Sequence, residues 1–145
     1  MAVTYTNNWK NILTALKSKI RAEMKCPVFS NFDETNKSNQ FIRLIPAGSD
    51  QGDVTKFSEH RTFNVSIQYY FIDRKNQQFQ DYVLNQVSIL EALVHDNPTV
   101  SLADSTTAYN LMIGDLELDV EPDDEYEDYF IAGWDFSCEH LSNLG

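Results

Sequence analysis

The carboxylates of residues 115–130, "DLELDVEPDDEYEDYF", are the densest chemistry in the chain: nine of these sixteen residues are Asp or Glu. Clustered carboxylates can hold a hard cation, serve a two-metal hydrolytic site or supply a general acid and base. An EF-hand calcium loop needs acids at fixed alternate positions, a Gly at position six and a Glu at position twelve. Counted from Asp119, the sixth position is Asp124 and the twelfth is Phe130, so that match fails. Asp123, Asp124, Glu127 and Asp128 could still bind Ca²⁺ or Mg²⁺ without such a frame, as a divalent-metal module or a metal-dependent enzyme. The reading we favour is a solvated hairpin rim whose outward carboxylates keep an exposed strand edge from pairing.

A two-metal nuclease also needs carboxylates from separated elements with a Lys or His nearby, and no Lys or Arg follows Lys75. His60, His95 and His140 lie far apart, with no HxH or HExxH spacing, and are expected to be exposed or boundary residues. Cys26 precedes Pro27, Cys138 sits in a strand-like run, and there is no CxxC. Both are expected as reduced, apolar-behaving thiols without local activation. GxSxG, GxGxxG and GxxxxGK[ST] are absent, so neither a nucleophile elbow nor a phosphate cradle is signalled. These residues assign no catalytic group, no cofactor and no metal, and the expectation is a protein that is not an enzyme.

Any such chemistry depends on the elements that position it. A chain of 145 residues with 42% hydrophobic and 12% aromatic residues, and only 5 Gly and 4 Pro, reads as one folded domain spanning 1–145. No apolar run approaches the roughly 18 residues of a membrane span. No signal-peptide core follows Met1, so a soluble protein made in the cytoplasm is expected. The net charge of −11 opposes nucleic acid as the main partner, because phosphate binding needs a basic face. Its distribution is sharper than its total. All eleven Lys and Arg lie at or before Lys75, where seven acids leave +4, whereas residues 76–145 carry fifteen acids and no Lys or Arg, −15. Either the fold interleaves the halves and the asymmetry cancels in space, or copies meet head to tail with basic and acidic surfaces paired.

"NNWKNILTALKSKIRAEM" opens on three plausible caps, Thr6, Asn7 and Asn8. Its Trp9, Ile12, Leu13, Leu16 and Ile20 then lie on one helical face. Cys26-Pro27 ends that helix. After a loop-like stretch from Asn31 to Asn39, "QFIRLIPAG" reads as a short strand closed by Pro46 and Gly48, with a loop from Ser49 to Lys56. "RTFNVSIQYYFID" is the clearest strand, with Phe63, Val65, Ile67, Tyr69 and Phe71 on one face and a largely polar opposite face. Tyr70 on that polar face is a candidate interface anchor. A second helix carries Phe79, Tyr82, Val83, Gln86, Leu90, Leu93 and Val94 on one stripe and stops at Asn97-Pro98. "TVSLADSTTAYN" is loop, with room for a short strand at its start. Two alternating runs, Leu116–Leu118–Val120 and Phe130–Ala132–Trp134–Phe136–Cys138, then form a long hairpin turned by "EPDDEYED". Leu111 and Ile113 are out of phase with Leu116 and Leu118, and Gly114 at the switch predicts a β-bulge. The order α-β-β-α-β-β makes this α+β, a mostly antiparallel sheet with two helices on one face.

This layout resembles the tail terminator (tail-completion) proteins of long-tailed bacteriophages. The shared features are the N-terminal helix, "FIRLIPAG", "RTFNVSIQYYF", the helix ending near Asn97-Pro98 and the hairpin through "YFIAGWDFSCEH". Two features depart from the pattern: "TKFSEHR" stands where many members have a Gly-rich approach to the long strand, and the acidic hairpin is heavier. The resemblance implies a ring, a hexamer, that caps the tail tube and joins it to the head connector, and a related neck or tail tube protein is the neighbouring alternative. The implied partners are further copies of itself, the tail tube protein and the head-completion or connector protein, with no direct nucleic-acid recognition and no membrane. The implied location is the virion tail or neck, after assembly in the host cytoplasm. Arg61, Gln68, Tyr70, Arg74 and Lys75, with Asp123, Asp124, Glu125, Glu127 and Asp128, are the candidate assembly surface.

Overall fold

Asn7 starts the first helix, α1 (Asn8–Met24), by accepting the Lys10 N–H on its side-chain oxygen at 3.0 Å. At the other end Lys25 turns left-handed (φ 55°) and its N–H closes on the Arg21 carbonyl at 3.0 Å, so the chain leaves the helix before Pro27. The computed structural model describes residues 7–30, 40–54, 58–72, 77–121 and 129–143. After α1 come β1 (Val28–Ser30), β2 (Gln40–Val54), β3 (Ser58–Ile72), α2 (Gln77–Asp96), β4 (Val100–Ser101), β5 (Thr107–Glu121) and β6 (Tyr129–Asn143).

The six described strands form one sheet in the order β1-β2-β3-β6-β5-β4; β1 runs parallel to β2, and every other described pair is antiparallel. The architecture is the expected α+β fold, with β1 and β4 added at the two edges. β4 supplies the short strand at the start of "TVSLADSTTAYN". Because side chains alternate across a strand, the pairing Ile67↔Trp134 and Leu44↔Ile67 puts one residue set beneath the helices. Ile42 and Leu44 of β2, Phe63 through Phe71 of β3, and Ala132 through Cys138 of β6 pack there against Ile12, Leu16 and Ile20 of α1 and Val83, Val87, Leu90 and Val94 of α2. Trp9 meets Phe63 edge-on at 4.9 Å, and Phe79 meets Phe71 and Phe130, so the two helices run in opposite directions over the sheet. A second, smaller cluster of Phe41, Tyr70 and Tyr129 lies on the opposite face.

Several expectations change. Residues 49–54 are strand, not loop: β2 continues opposite β3 from Ser49↔Phe63 to Val54↔Glu59. Pro46 is accommodated because β1 pairs only as far as Leu44, so beyond it no described strand requires an N–H from that edge. The register slips between Pro46 and Gly48, and Gly48 takes φ 137°, a conformation that favours glycine. On α2, Val87 belongs to the buried stripe, while Tyr82 is 44% exposed. The bulge at Gly114 is present, as the step from Ile113↔Phe136 to Leu116↔Trp134 spends one extra residue on β5. Leu118 has the predicted phase yet is 47% exposed.

Candidate assembly surface

The face of the sheet away from the helices carries Gln68 and Tyr70. The Tyr70 ring stacks on Phe41 with centroids 4.6 Å apart and meets Tyr129 edge-on at 6.0 Å. Its hydroxyl donates to Gln68 Oε1 at 2.8 Å, and the residue is only 8% exposed. Tyr70 therefore packs within its own chain. Gln68 pairs with Arg43 on one side and Gly133 on the other, and Gly133 pairs on with Glu117. A row of Arg43, Gln68, Gly133 and Glu117 thus crosses four strands, with a base and an acid at its ends.

Arg61 does not share the face of Gln68. It is two residues from Phe63, in the same phase, and so points to the helix side of the sheet, beyond the buried core. Its Nε donates to Glu59 Oε1 at 2.7 Å and its Nη1 to Ser49 Oγ at 3.1 Å. That contact holds the Glu59 carboxyl below the usual range, and the pair is surface-exposed enough to be worth at most about 1 kcal/mol. Arg74, Lys75, Asp123, Asp124, Glu125, Glu127 and Asp128 lie outside the described residues. Of the acidic run, Asp115, Glu117 and Asp119 are exposed along β5, which ends at Glu121. Only β4, at Thr107 and Ala108, pairs with the outer edge of that strand among the described residues.

Two polar clusters escaped the sequence reading. On the open face His60 Nε2 lies 2.8 Å from Glu139 Oε1, and Asn110 donates to the other oxygen of the same carboxylate. The Asn110 contact, then His60, keeps Glu139 below the usual carboxylate range. Gly52 makes room for this arrangement, because a Cβ there would sit 2.2 Å from His60 Nδ1. On the helix side His140 is 1% exposed, correcting the expectation of a boundary histidine. Thr106 Oγ1 donates to Asp104 at 2.5 Å and lies 2.8 Å from His140 Nε2. With its one proton committed to Asp104, the Thr106 hydroxyl can only accept from His140, which fixes the Nε2–H tautomer. The signal was available: His140 continues the inward phase of Trp134, Phe136 and Cys138.

Burial drives these groups toward their neutral forms. It lowers the His140 imidazole, raises the Cys26 thiol and pushes the Cys138 thiol up to about 12. Burial likewise raises the Tyr69 phenol well above its ordinary value. Tyr69 accepts from Gln40 and from the Cys26 thiol at 3.8 Å, and donates to Gln86 at 3.3 Å. A reactive thiol needs the opposite tuning. Among the described residues no group of three or more His, Cys, Asp or Glu could hold a metal. No described helix is long and apolar enough to cross a membrane.

Two described concavities flank α1. One, of about 450 Å³, lies between α1 and the β1–β2 edge, and Trp9, Leu13, Pro46, Lys10 and Lys17 are among the residues that line it. Their spacing of seven residues sets both lysines on one side of the helix, two turns apart. The described part of α1 and its cap carries Lys10, Lys17, Lys19, Arg21 and Lys25 against the single acid Glu23.

No protein-family model matches the chain, and no curated protein matches it. Solved structures do share the fold. A chain from the virion of a native gene transfer agent particle aligns over 95% of this chain and 100% of its own length, with a TM-score of 0.56 at 11% identity. A second likeness, with a TM-score of 0.55 at 15% identity, is to a chain of an extracellular contractile injection system, described as its sheath/tube terminator in the extended state. It covers 98% of this chain and 58% of that one. The chain has the fold of components of phage-like particles.

Proposed function

We propose that this chain is a structural subunit of a phage-type tail, a tail terminator that forms a ring, caps the tail tube and joins it to the head connector. The observation that carries the reading is the end-to-end fold likeness to a gene transfer agent virion chain, covering 95% of this chain and all of the other. The likeness to a sheath/tube terminator supports the position at the end of a tube. The burial of Cys26, Tyr69, Cys138 and His140 in neutral form agrees with a part that holds rather than reacts. The whole described chain acts as one domain, the ring is a hexamer, and the virion tail is its place of work after assembly in the host cytoplasm.

The test has two arms. Native mass spectrometry at low and high salt reads the oligomer, with a six-subunit species expected. Electron microscopy of purified tail tubes lacking a terminator, mixed with the protein, reads binding at one tube end. A chain that never binds tube ends overturns the proposal.

A further inference from the structure

We propose that the groove between α1 and the β1–β2 edge receives the acidic β5 strand of a second copy of this chain. The inference rests on the assembly reading and names the two surfaces that would meet. The groove is lined by the apolar side chains of Trp9, Leu13 and Pro46 together with Lys10 and Lys17. The strand offers the matching chemistry: Leu118, 47% exposed, stands between Glu117 and Asp119, with Asp115 before them. A strand laid in the groove by its open edge covers an apolar side chain that its own core leaves half bare, and sets carboxylates beside ammonium groups.

The geometry makes the contact intermolecular. The groove lies at the β1–β2 edge of the sheet and β5 near the other, with β3 and β6 between. The signs of charge also select the mode of pairing. Two α1 ridges repel each other, and so do two β5 strands, so a face-to-same-face dimer is opposed. Groove to strand attracts, and that contact is heterologous, the kind that propagates around a ring.

The experiment uses two charge-reversed forms of the full chain. One carries Lys10→Glu with Lys17→Glu; the other carries Asp115→Lys, Glu117→Lys and Asp119→Lys. Lys10, Asp115, Glu117 and Asp119 are exposed and Lys17 is half-buried, and circular dichroism and thermal melting check that each form folds. At low salt each form alone is expected to self-associate about tenfold more weakly or worse, since like charges now face across the contact. Mixed at equal concentration, the two forms are expected to restore oligomers, because each reversed surface matches the other. Wild-type-like assembly of both forms, or loss of assembly that mixing does not restore, overturns the pairing while leaving the tail-end reading standing. A wild-type chain that neither oligomerises nor binds tube ends removes that reading and the pairing with it.

Discussion

Replacing Tyr70 with Ala separates a residue that anchors a neighbour from one that holds its own sheet together. The ring is 8% exposed, stacked on Phe41 at 4.6 Å and edge-on to Tyr129 at 6.0 Å. An aromatic side chain of this kind buries on the order of 150 Å². At about 25 cal/mol per Å² its removal forfeits roughly 4 kcal/mol, within the range of about 3–5 for buried aromatic-to-Ala changes. The cluster is small and lies on the uncovered face, where Phe29, Ile72 and Ile131 can settle inward, so the lower end is expected, about 3 kcal/mol. Tyr70→Phe keeps the stack and removes only the hydroxyl bond to Gln68, costing about 1 kcal/mol. Urea unfolding followed by tryptophan fluorescence, at high dilution and high salt so that subunits are separate, reads both values. If Tyr70→Ala leaves the isolated subunit within about 0.5 kcal/mol of wild type while weakening assembly, Tyr70 is an anchor for a neighbour and the packing argument fails.

Three further outcomes follow from the same structure. Burial holds His140 below its ordinary 6.5, so the unfolded chain binds a proton that the folded one refuses. Stability should therefore fall as pH drops through about 6.5. That component should vanish in His140→Gln when urea midpoints at pH 7.5 and 5.5 are compared, a window above the protonation of Glu59, Asp104 and Glu139. Gly48→Ala should cost roughly 1–3 kcal/mol although nothing lies within 4 Å of the new Cβ, because the penalty is in the backbone at φ 137°; an unchanged thermal midpoint would count against it. Cys26 and Cys138 are free, buried and raised in pKa, so Ellman's reagent should label neither in native buffer and both after denaturation.

What the sequence disclosed and what it hid divide along a physical line. Local signals carried the start of α1 at Asn7, its end before Pro27, the two faces of β3 and the bulge at Gly114, because each is encoded within a few neighbouring residues. Residues 49–54 were misread because Ser49, Asp50, Gln51, Gly52 and Asp53 have turn-forming composition, and only their partner β3 makes them strand. Tyr70 looked like an exposed member of a polar face because the residues that cover it, Phe41 and Tyr129, come from strands distant in sequence. Arg61, grouped with Gln68 and Tyr70 as assembly surface, stands on the opposite face from them, and its phase with Phe63 was written in the sequence. The groove beside α1 was not visible at all, since it needs Pro46 brought against the helix.

The strand order has a consequence for how such a subunit is made. β6, the last of the eight described elements in sequence, lies in the middle of the sheet between β3 and β5. Until it has been synthesised, the inner edges of both strands lack their partner, and Trp134, Phe136 and Cys138 are missing from beneath the helices. A half-made chain cannot close its sheet, so topology makes folding wait for the last strand. A premature stop before residue 129 removes the central strand, not a dispensable tail. Truncated chains should fail as soluble monomers.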